Sequence, residues 1–314
     1  VGEGEVRSPG RPPIALFIDR GFAVEPFAEA LAPAVDCRES VPAAEFGDVE
    51  AVVTGIDPVG VAEVEPFPNL RMVLACSTGT DQLDVEALRA RGLIVCNTPT
   101  YCTEEVADHT LALLLCGWRQ VWRLGLDVRR GGWEPGTILR RFDRQRLGIV
   151  GCGRIGSAVA RRAQALGVEV VAHDPFASPP AGVPALDLDE LLATSDAVSL
   201  HLPGTRGAPP LLGRREVGSM KPGAVLVNVS RTSLVDLDAV VEALAEGRLS
   251  GAMFDVWEDE PPRADDPRYA VDGLLVTPHV GWSSPQADDA YREEAIASLR
   301  SLLVLGEDPP GRLA

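Results

Sequence analysis

No stretch of the chain approaches 18 apolar residues, so nothing in it reads as a membrane-spanning helix. The opening VGEGEVRSPGRPP lacks the apolar core of a secretory signal and reads as a loose Pro/Gly-rich tail. The six cysteines form no C-x-x-C pair and no Cys/His ligand spacing. Several sit inside apolar runs, where a free thiol behaves as a small hydrophobe, so reduced thiols, a cytoplasmic setting and no bound metal are expected. A Lys/Arg stripe is missing too. With 29 basic against 46 acidic residues, the net charge of -17 repels phosphate backbones and anionic lipid, so neither nucleic acid nor membrane is an expected partner. The one basic run, RRGGWEPGTILRRFDRQR, reads as a surface loop. No internal repeat is visible, which excludes solenoid architectures.

What is there is a chain of 314 residues, 46% hydrophobic, long for one core and comfortable for two domains. IALFID (14–19), AVVTGI (51–56), LRMVLAC (70–76) and LIVCN (93–97) read as buried strands separated by helix-like segments. EEVADHTLALLLCGWRQVWRLGLDV then repeats apolar residues at three and four, predicting one helix of some six turns suited to a domain crossover. From 147 the pattern restarts: LGIVG, VEVVAHD, AVSLHL, AVLVNV, SGAMFDV and LLVTP read as strands, most with helices between them. Strands nearly continuous in Val, Leu and Ile belong to parallel sheets covered on both faces. The fold class expected is α/β, two Rossmann-like domains with parallel sheets. SPQADDAYREEAIASLRSLL is an amphipathic helix able to return to the first domain.

Gly151, Gly153 and Gly156 have G-x-G-x-x-G spacing. Three glycines alone make only a tight turn, but here a strand precedes, a helix opens at the third glycine, and Asp174 ends the next strand roughly 20 residues on. That context predicts dinucleotide binding. Gly151 makes the turn, Gly153 lets the backbone approach a pyrophosphate, Gly156 packs helix on strand, and Arg154 and Ile155 supply neighbouring N–H groups. Asp174 would accept from both adenosine ribose hydroxyls and repel a 2′-phosphate. HDPFASPP offers no Arg or Lys to receive one, so NAD is expected over NADP.

STGTDQLD, NTPTYCTEEVADHT, VGCGRIG, MKPGAVLVNVSRTSLVD, FDVWEDEPP and TPHVGW stand in this order. In that series the chain resembles the D-isomer-specific 2-hydroxyacid dehydrogenases from about residue 51 to 303. The resemblance implies a catalytic triad of Arg231, Glu260 and His279. The chemistry asks for the same types: a cation for the carboxylate of a 2-keto acid, a proton donor at the carbonyl oxygen, and an acid that holds the imidazole. Taken singly, each residue also fits a surface ion pair, a solvated turn or a loop.

The resemblance further implies that His201, Pro203, Val229 and Gly281 line the cofactor cleft. Asp255 either bonds the nicotinamide carboxamide or caps its strand. Main-chain N–H groups of Ser77, Thr78 and Gly79 either meet the substrate carboxylate or form a plain turn. His109 and His173 read as structural or solvent-facing. Residues 1–98 with 284–314 are expected to form a discontinuous substrate domain and 99–283 an inserted cofactor domain, with the cleft closing on substrate. A homodimer through the cofactor domains is implied, with the 105–128 helix at its interface.

Three positions depart from the family pattern. Thr232 follows Arg231 where Gly is usual, Cys102 stands where Asn is frequent, and Trp282 follows His279-Val280-Gly281. Trp282 is either a wall of the substrate pocket, favouring an apolar or extended side chain, or ordinary packing. With EEVADHT it also resembles the branch of the C-terminal binding proteins. The second reading is therefore an NAD(H)-sensing scaffold with vestigial catalysis, against which stands the retention of all three triad residues.

Overall fold

The computed structural model describes residues 10–19, 23–204 and 207–313, so residues 1–9 of the expected tail lie outside it. The chain separates into two compact units, one taking the chain up to Cys102 and again from Ser284, the other Thr103–Ser283.

The first unit alternates β1 (Ile14–Phe17), α1 (Glu25–Leu31), β2 (Asp36–Arg38), β3 (Val49–Thr54), α2 (Val61–Val64), β4 (Met72–Ala75), α3 (Val85–Ala90) and β5 (Ile94–Asn97). The strands pair in parallel in the order β2-β1-β3-β4-β5. β1, β3 and β4 are buried along their whole length, as apolar runs without alternation require. β2 is a three-residue edge strand, Asp-Cys-Arg, too short and polar to announce itself. The C-terminal helix Pro285–Arg300 belongs to this unit and buries Ala295 and Leu299 beside Phe27 and Leu31. Residues 99–102 stay here because Thr100 bonds Glu294 and Tyr101 stands edge-on to Tyr291 at 6.0 Å.

The second unit runs α4 (Thr103–Arg119), α5 (Val121–Arg129), β6 (Arg146–Val150), α6 (Arg154–Ala165), β7 (Glu169–His173), α7 (Leu188–Thr194), β8 (Ala197–Leu200), α8 (Arg214–Ser219), β9 (Ala224–Asn228), α9 (Leu237–Ala245), β10 (Leu249–Phe254) and β11 (Leu274–Val276). Its parallel sheet has the order β11-β10-β9-β8-β6-β7. Outside β7, Ala185 adds one more parallel bridge to Ala172. The chain leaves β6 toward β7 and returns on the other side as β8, so the order reverses between β6 and β8. A ligand crevice opens at such a point beyond the carboxyl ends of the strands.

The single long helix expected over 104–128 is two helices. Gln120 adopts φ 49, in the left-handed region, and separates α4 from α5. α4 buries Val106, Ala107, Leu113, Leu114 and Trp118, whereas α5 buries nothing. Apolar spacing runs through the break because no Gly or Pro marks it. Gln120 is held instead by its own Oε1, which accepts from Arg123 Nε at 2.9 Å.

Candidate active site

The carboxyl ends of the six strands carry the expected site residues of the second unit: the glycine turn after β6, Asp174 after β7, His201 after β8, Arg231 after β9, Asp255 and Glu260 after β10, and His279 after β11. A parallel sheet aims all its strand ends one way, so residues far apart in sequence share one edge.

At the glycine turn, Gly151 takes φ 100, and a Cβ there would collide with the carbonyl oxygen of His201. A Cβ on Gly156 would strike the carbonyl oxygen of Gly151, so only hydrogen lets α6 pack on the turn. Gly153, which precedes Arg154 and Ile155 in the first turn of α6, differs. Among the described residues, no atom beyond its chain neighbours and its own helix backbone lies within 4 Å of where its Cβ would stand, which leaves room for a ligand at the start of a helix. Asp174 accepts from Cys152 N at 2.7 Å through Oδ2, and from Phe176 N and Ala177 N at 2.8 and 2.9 Å through Oδ1. Burial pushes its carboxyl up, but these three bonds outweigh it and hold the group below the usual carboxylate range. The remaining lone pairs are free to accept from hydroxyls. These features fit a dinucleotide.

His201 Nε2 lies 2.9 Å from Ser199 Oγ, and its Nδ1 is buried without a hydrogen-bond partner among the described residues. Burial pushes its pKa down to about 3, so the ring is neutral. Pro203 is exposed just beyond it, and Val229 is half-buried after β9. His173 is structural, its Nδ1 2.9 Å from Leu186 O.

Arg231 is positioned by polar residues that end an apolar strand. The Asn228 amide donates to Arg231 O at 2.9 Å and accepts from Ser230 N at 3.0 Å, while Ser230 Oγ donates to Leu200 O at 2.7 Å. The half-buried guanidinium donates from Nη1 to Ser230 O at 2.7 Å. Thr232 is buried as the first residue of a short 3-10 turn. Asn228, a polar residue closing a Val/Leu strand, carries no motif signature of its own, and its role shows only in these bonds.

Glu260 and His279 meet. Glu260 Oε1 accepts from Trp257 N at 2.9 Å, and Oε2 lies 2.7 Å from His279 Nδ1. A carboxylate can only accept, so Nδ1 carries the proton and Nε2 is left for a ligand. The pair is partly open, with 43% of the imidazole side chain exposed. His279 itself has φ 52, a strained conformation for a residue with a side chain, costing about 1–3 kcal/mol.

The next two amides explain how that strain is held. Val280 N and Gly281 N donate to Asp255 Oδ1 and Oδ2 at 3.1 and 2.8 Å, and Thr277 Oγ1 donates to Oδ1 at 2.5 Å. Burial raises the Asp255 carboxyl, but bonds from His109, Thr277, Gly281 and Val280 overcome it and hold the group below the usual range. Gly281 is buried with its N–H committed to Asp255, and Trp282 is 36% exposed.

In the first unit, the turn after β4 is held from behind. Gln82 Nε2 donates to Ser77 Oγ at 2.9 Å and to Gly55 O at 2.8 Å, Ser77 Oγ donates to Gly79 O at 2.7 Å, and Asn97 Nδ2 donates to Thr78 O at 2.8 Å. The carbonyls and hydroxyls of the turn are thus satisfied from within the unit. Gln82 and Asn97 were not singled out in the sequence. Cys102 is buried with Sγ 3.5 Å from Thr78 Oγ1.

Residues 111–281 match the model of the D-isomer specific 2-hydroxyacid dehydrogenase NAD binding domain. A glyoxylate reductase of Korarchaeum cryptofilum is 36% identical over 273 residues, covering 84% of this chain and 82% of that protein. A D-3-phosphoglycerate dehydrogenase of Archaeoglobus fulgidus is 34% identical over 77% of this chain but only 47% of its own length. The chain thus spans about half the length of the phosphoglycerate dehydrogenases it matches. The crystal structure of D-lactate dehydrogenase from Aquifex aeolicus, complexed with NAD and lactic acid, superposes with a TM-score of 0.81 at 27% identity, covering 94% of this chain and 96% of that one. A matched cofactor domain and a relative aligned over most of both chains complete what the strand ends began: the chain belongs to the D-isomer specific 2-hydroxyacid dehydrogenase family.

Proposed function

We propose that this protein is an NAD-dependent D-2-hydroxyacid dehydrogenase that interconverts a small 2-keto acid and its 2-hydroxy acid. The observation that carries the reading is the 2.7 Å bond between Glu260 and His279, on the sheet edge that also presents the glycine turn and Arg231. A bound nicotinamide supplies or takes up the hydride. The turn at Gly151, Gly153 and Gly156, with the N–H groups of Arg154 and Ile155, would hold the pyrophosphate and Asp174 the ribose. The absence of Arg or Lys after Asp174 favours NAD over NADP.

Arg231 binds the substrate carboxylate and polarises the adjoining carbonyl. His279 Nε2 gives its proton to the carbonyl oxygen in reduction and takes one from the hydroxyl in oxidation, while Glu260 fixes the ring through Nδ1 and stabilises the imidazolium. In the first unit, the turn of Ser77, Thr78 and Gly79 has its own oxygens already satisfied, so its main-chain N–H groups suit an anion. Trp282 would narrow the site toward acids with an apolar or extended side chain. The sequence of the first domain shows no basic cluster for a phosphate, which favours unphosphorylated substrates.

The protein acts as a homodimer on this reading. α5 buries no residue, and the following segment exposes Trp133 at 77% and Ile138 at 94%, an apolar surface suited to a second copy. Six free cysteines favour the cytoplasm. The scaffold reading is not favoured, because Arg231, Glu260 and His279 are all present and the relatives compared above are named as reductases and dehydrogenases. The test is loss of NADH absorbance with glyoxylate, pyruvate, hydroxypyruvate and phenylpyruvate. Turnover of at least one supports the reading; tight NADH binding with no turnover of any would favour the scaffold.

A further inference from the structure

The clamp around Asp255 includes a residue from a separate element. His109 lies on α4, and its Nε2 is 3.1 Å from Thr277 Oγ1 and 3.3 Å from Asp255 Oδ1. The hydroxyl of Thr277 has one proton and, at 2.5 Å, places it on Asp255. A bare ring nitrogen at His109 would set its lone pair against both the hydroxyl oxygen and the carboxylate, so Nε2 carries hydrogen and donates. Asp255 is 2% exposed and has almost no water to replace a lost donor. Its two oxygens hold the amides that follow His279, the residue kept at φ 52. The ring is also close to the loop itself: a Cβ on Gly281 would stand 3.3 Å from His109 Cδ2 and 2.8 Å from Asp255 Oδ2.

We propose that His109 is a positioning residue for the reaction: from α4 it fixes the Asp255–Thr277 pair that holds the main chain of residues 279–281, and through it the imidazole of His279. The kinetic part of this inference rests on the dehydrogenase reading above. Without the His109 donor, Thr277 is free to turn from Asp255 and the strained backbone at His279 can relax. Nε2 then moves from the place where a proton is transferred, while Arg231 and the glycine turn, held by other bonds, keep their ligands.

The test uses the full chain with His109→Leu, His109→Gln and Thr277→Val, the glutamine placing an amide N–H where Nε2 was. The leucine and valine variants should lower kcat by about 10- to 100-fold, as a small misplacement of a reacting group does. The KM for the 2-keto acid and the Kd for NADH should stay within about threefold. Glutamine should restore most of kcat, and the leucine–valine double variant should lose less than the product of the single losses. The protein has four histidines, so 15N-histidine NMR can follow the His279 Nδ1–H bonded to Glu260. Its resonance should move in the leucine variant and return in the glutamine variant.

An unchanged kcat in His109→Leu, a loss carried by KM or NADH affinity, or an unmoved His279 resonance would overturn the proposal. If the leucine variant does not fold, glutamine against valine decides by the same readouts. If the wild type reduces no 2-keto acid, the dehydrogenase reading fails by itself and the resonance still decides the positioning claim.

Discussion

His201 and His279 stand on the same sheet edge and are treated in opposite ways. His201 is half-buried beside Ser199, with its Nδ1 out of reach of solvent, and its folded pKa, about 3, lies below the ordinary 6.5. Between those values the unfolded chain binds a proton that the folded chain refuses. This contribution to stability is therefore complete above pH 6.5 and is lost as pH falls toward 3. Between about pH 7 and about pH 5 the wild type should lose up to ~2 kcal/mol more than His201→Gln, measured by urea unfolding at each pH. Equal losses would show that the ring takes up a proton when folded. Arg231→Ala should raise the KM for the keto acid and also lower kcat if, as proposed, the guanidinium both binds and polarises; steady-state kinetics separates the two effects. Residue types with a chemical role were legible in the sequence because the family's motifs carry them. Their supports were not. Asn228, Ser230, Thr277 and His109 are common polar residues whose role exists only once β8, β9, β10 and α4 lie side by side.

At the scale of elements, the glycine turn separates folding from binding. Gly156→Ala puts a methyl group into the carbonyl of Gly151 and should cost about 1–3 kcal/mol of stability, read from thermal or chemical unfolding. Gly153→Ala meets no packed neighbour among the described residues, so it should fold almost normally yet weaken NADH binding at least about tenfold, read by fluorescence titration. Unimpaired binding in the Gly153 variant would remove the pyrophosphate from that surface. Strands such as AVLVNV and LGIVG were legible because full burial writes itself as an unbroken apolar run. The break at Gln120 was not, since the left-handed residue is neither Gly nor Asn and apolar spacing continues across it. β2 and the bridge at Ala185 were invisible for a different reason: pairing of one to three residues at a sheet edge is decided by the neighbouring strand.

For the whole molecule, a charge of -17 leaves an acidic surface, against which Trp133 and Ile138 stand exposed in the segment after α5. Trp133→Ser combined with Ile138→Asp should convert a dimer into monomers in light scattering at equal concentration. A wild type that is monomeric would end the dimer proposal. The division into two α/β units was legible from the restart of the strand pattern at 147, helped by the order of six motifs. The identity of the natural acid was not, since a carboxylate beside a carbonyl demands the same arginine and histidine whatever side chain follows.

The most direct measurement is the kinetics of His279→Ala beside the wild type, with NADH and the best 2-keto acid. Loss of the only proton donor assigned to the reaction predicts a fall in kcat of roughly 100- to 10,000-fold, with NADH affinity kept within about threefold. A variant that reduces the keto acid as fast as the wild type would contradict the account, because the imidazole held by Glu260 would then have no part in the chemistry.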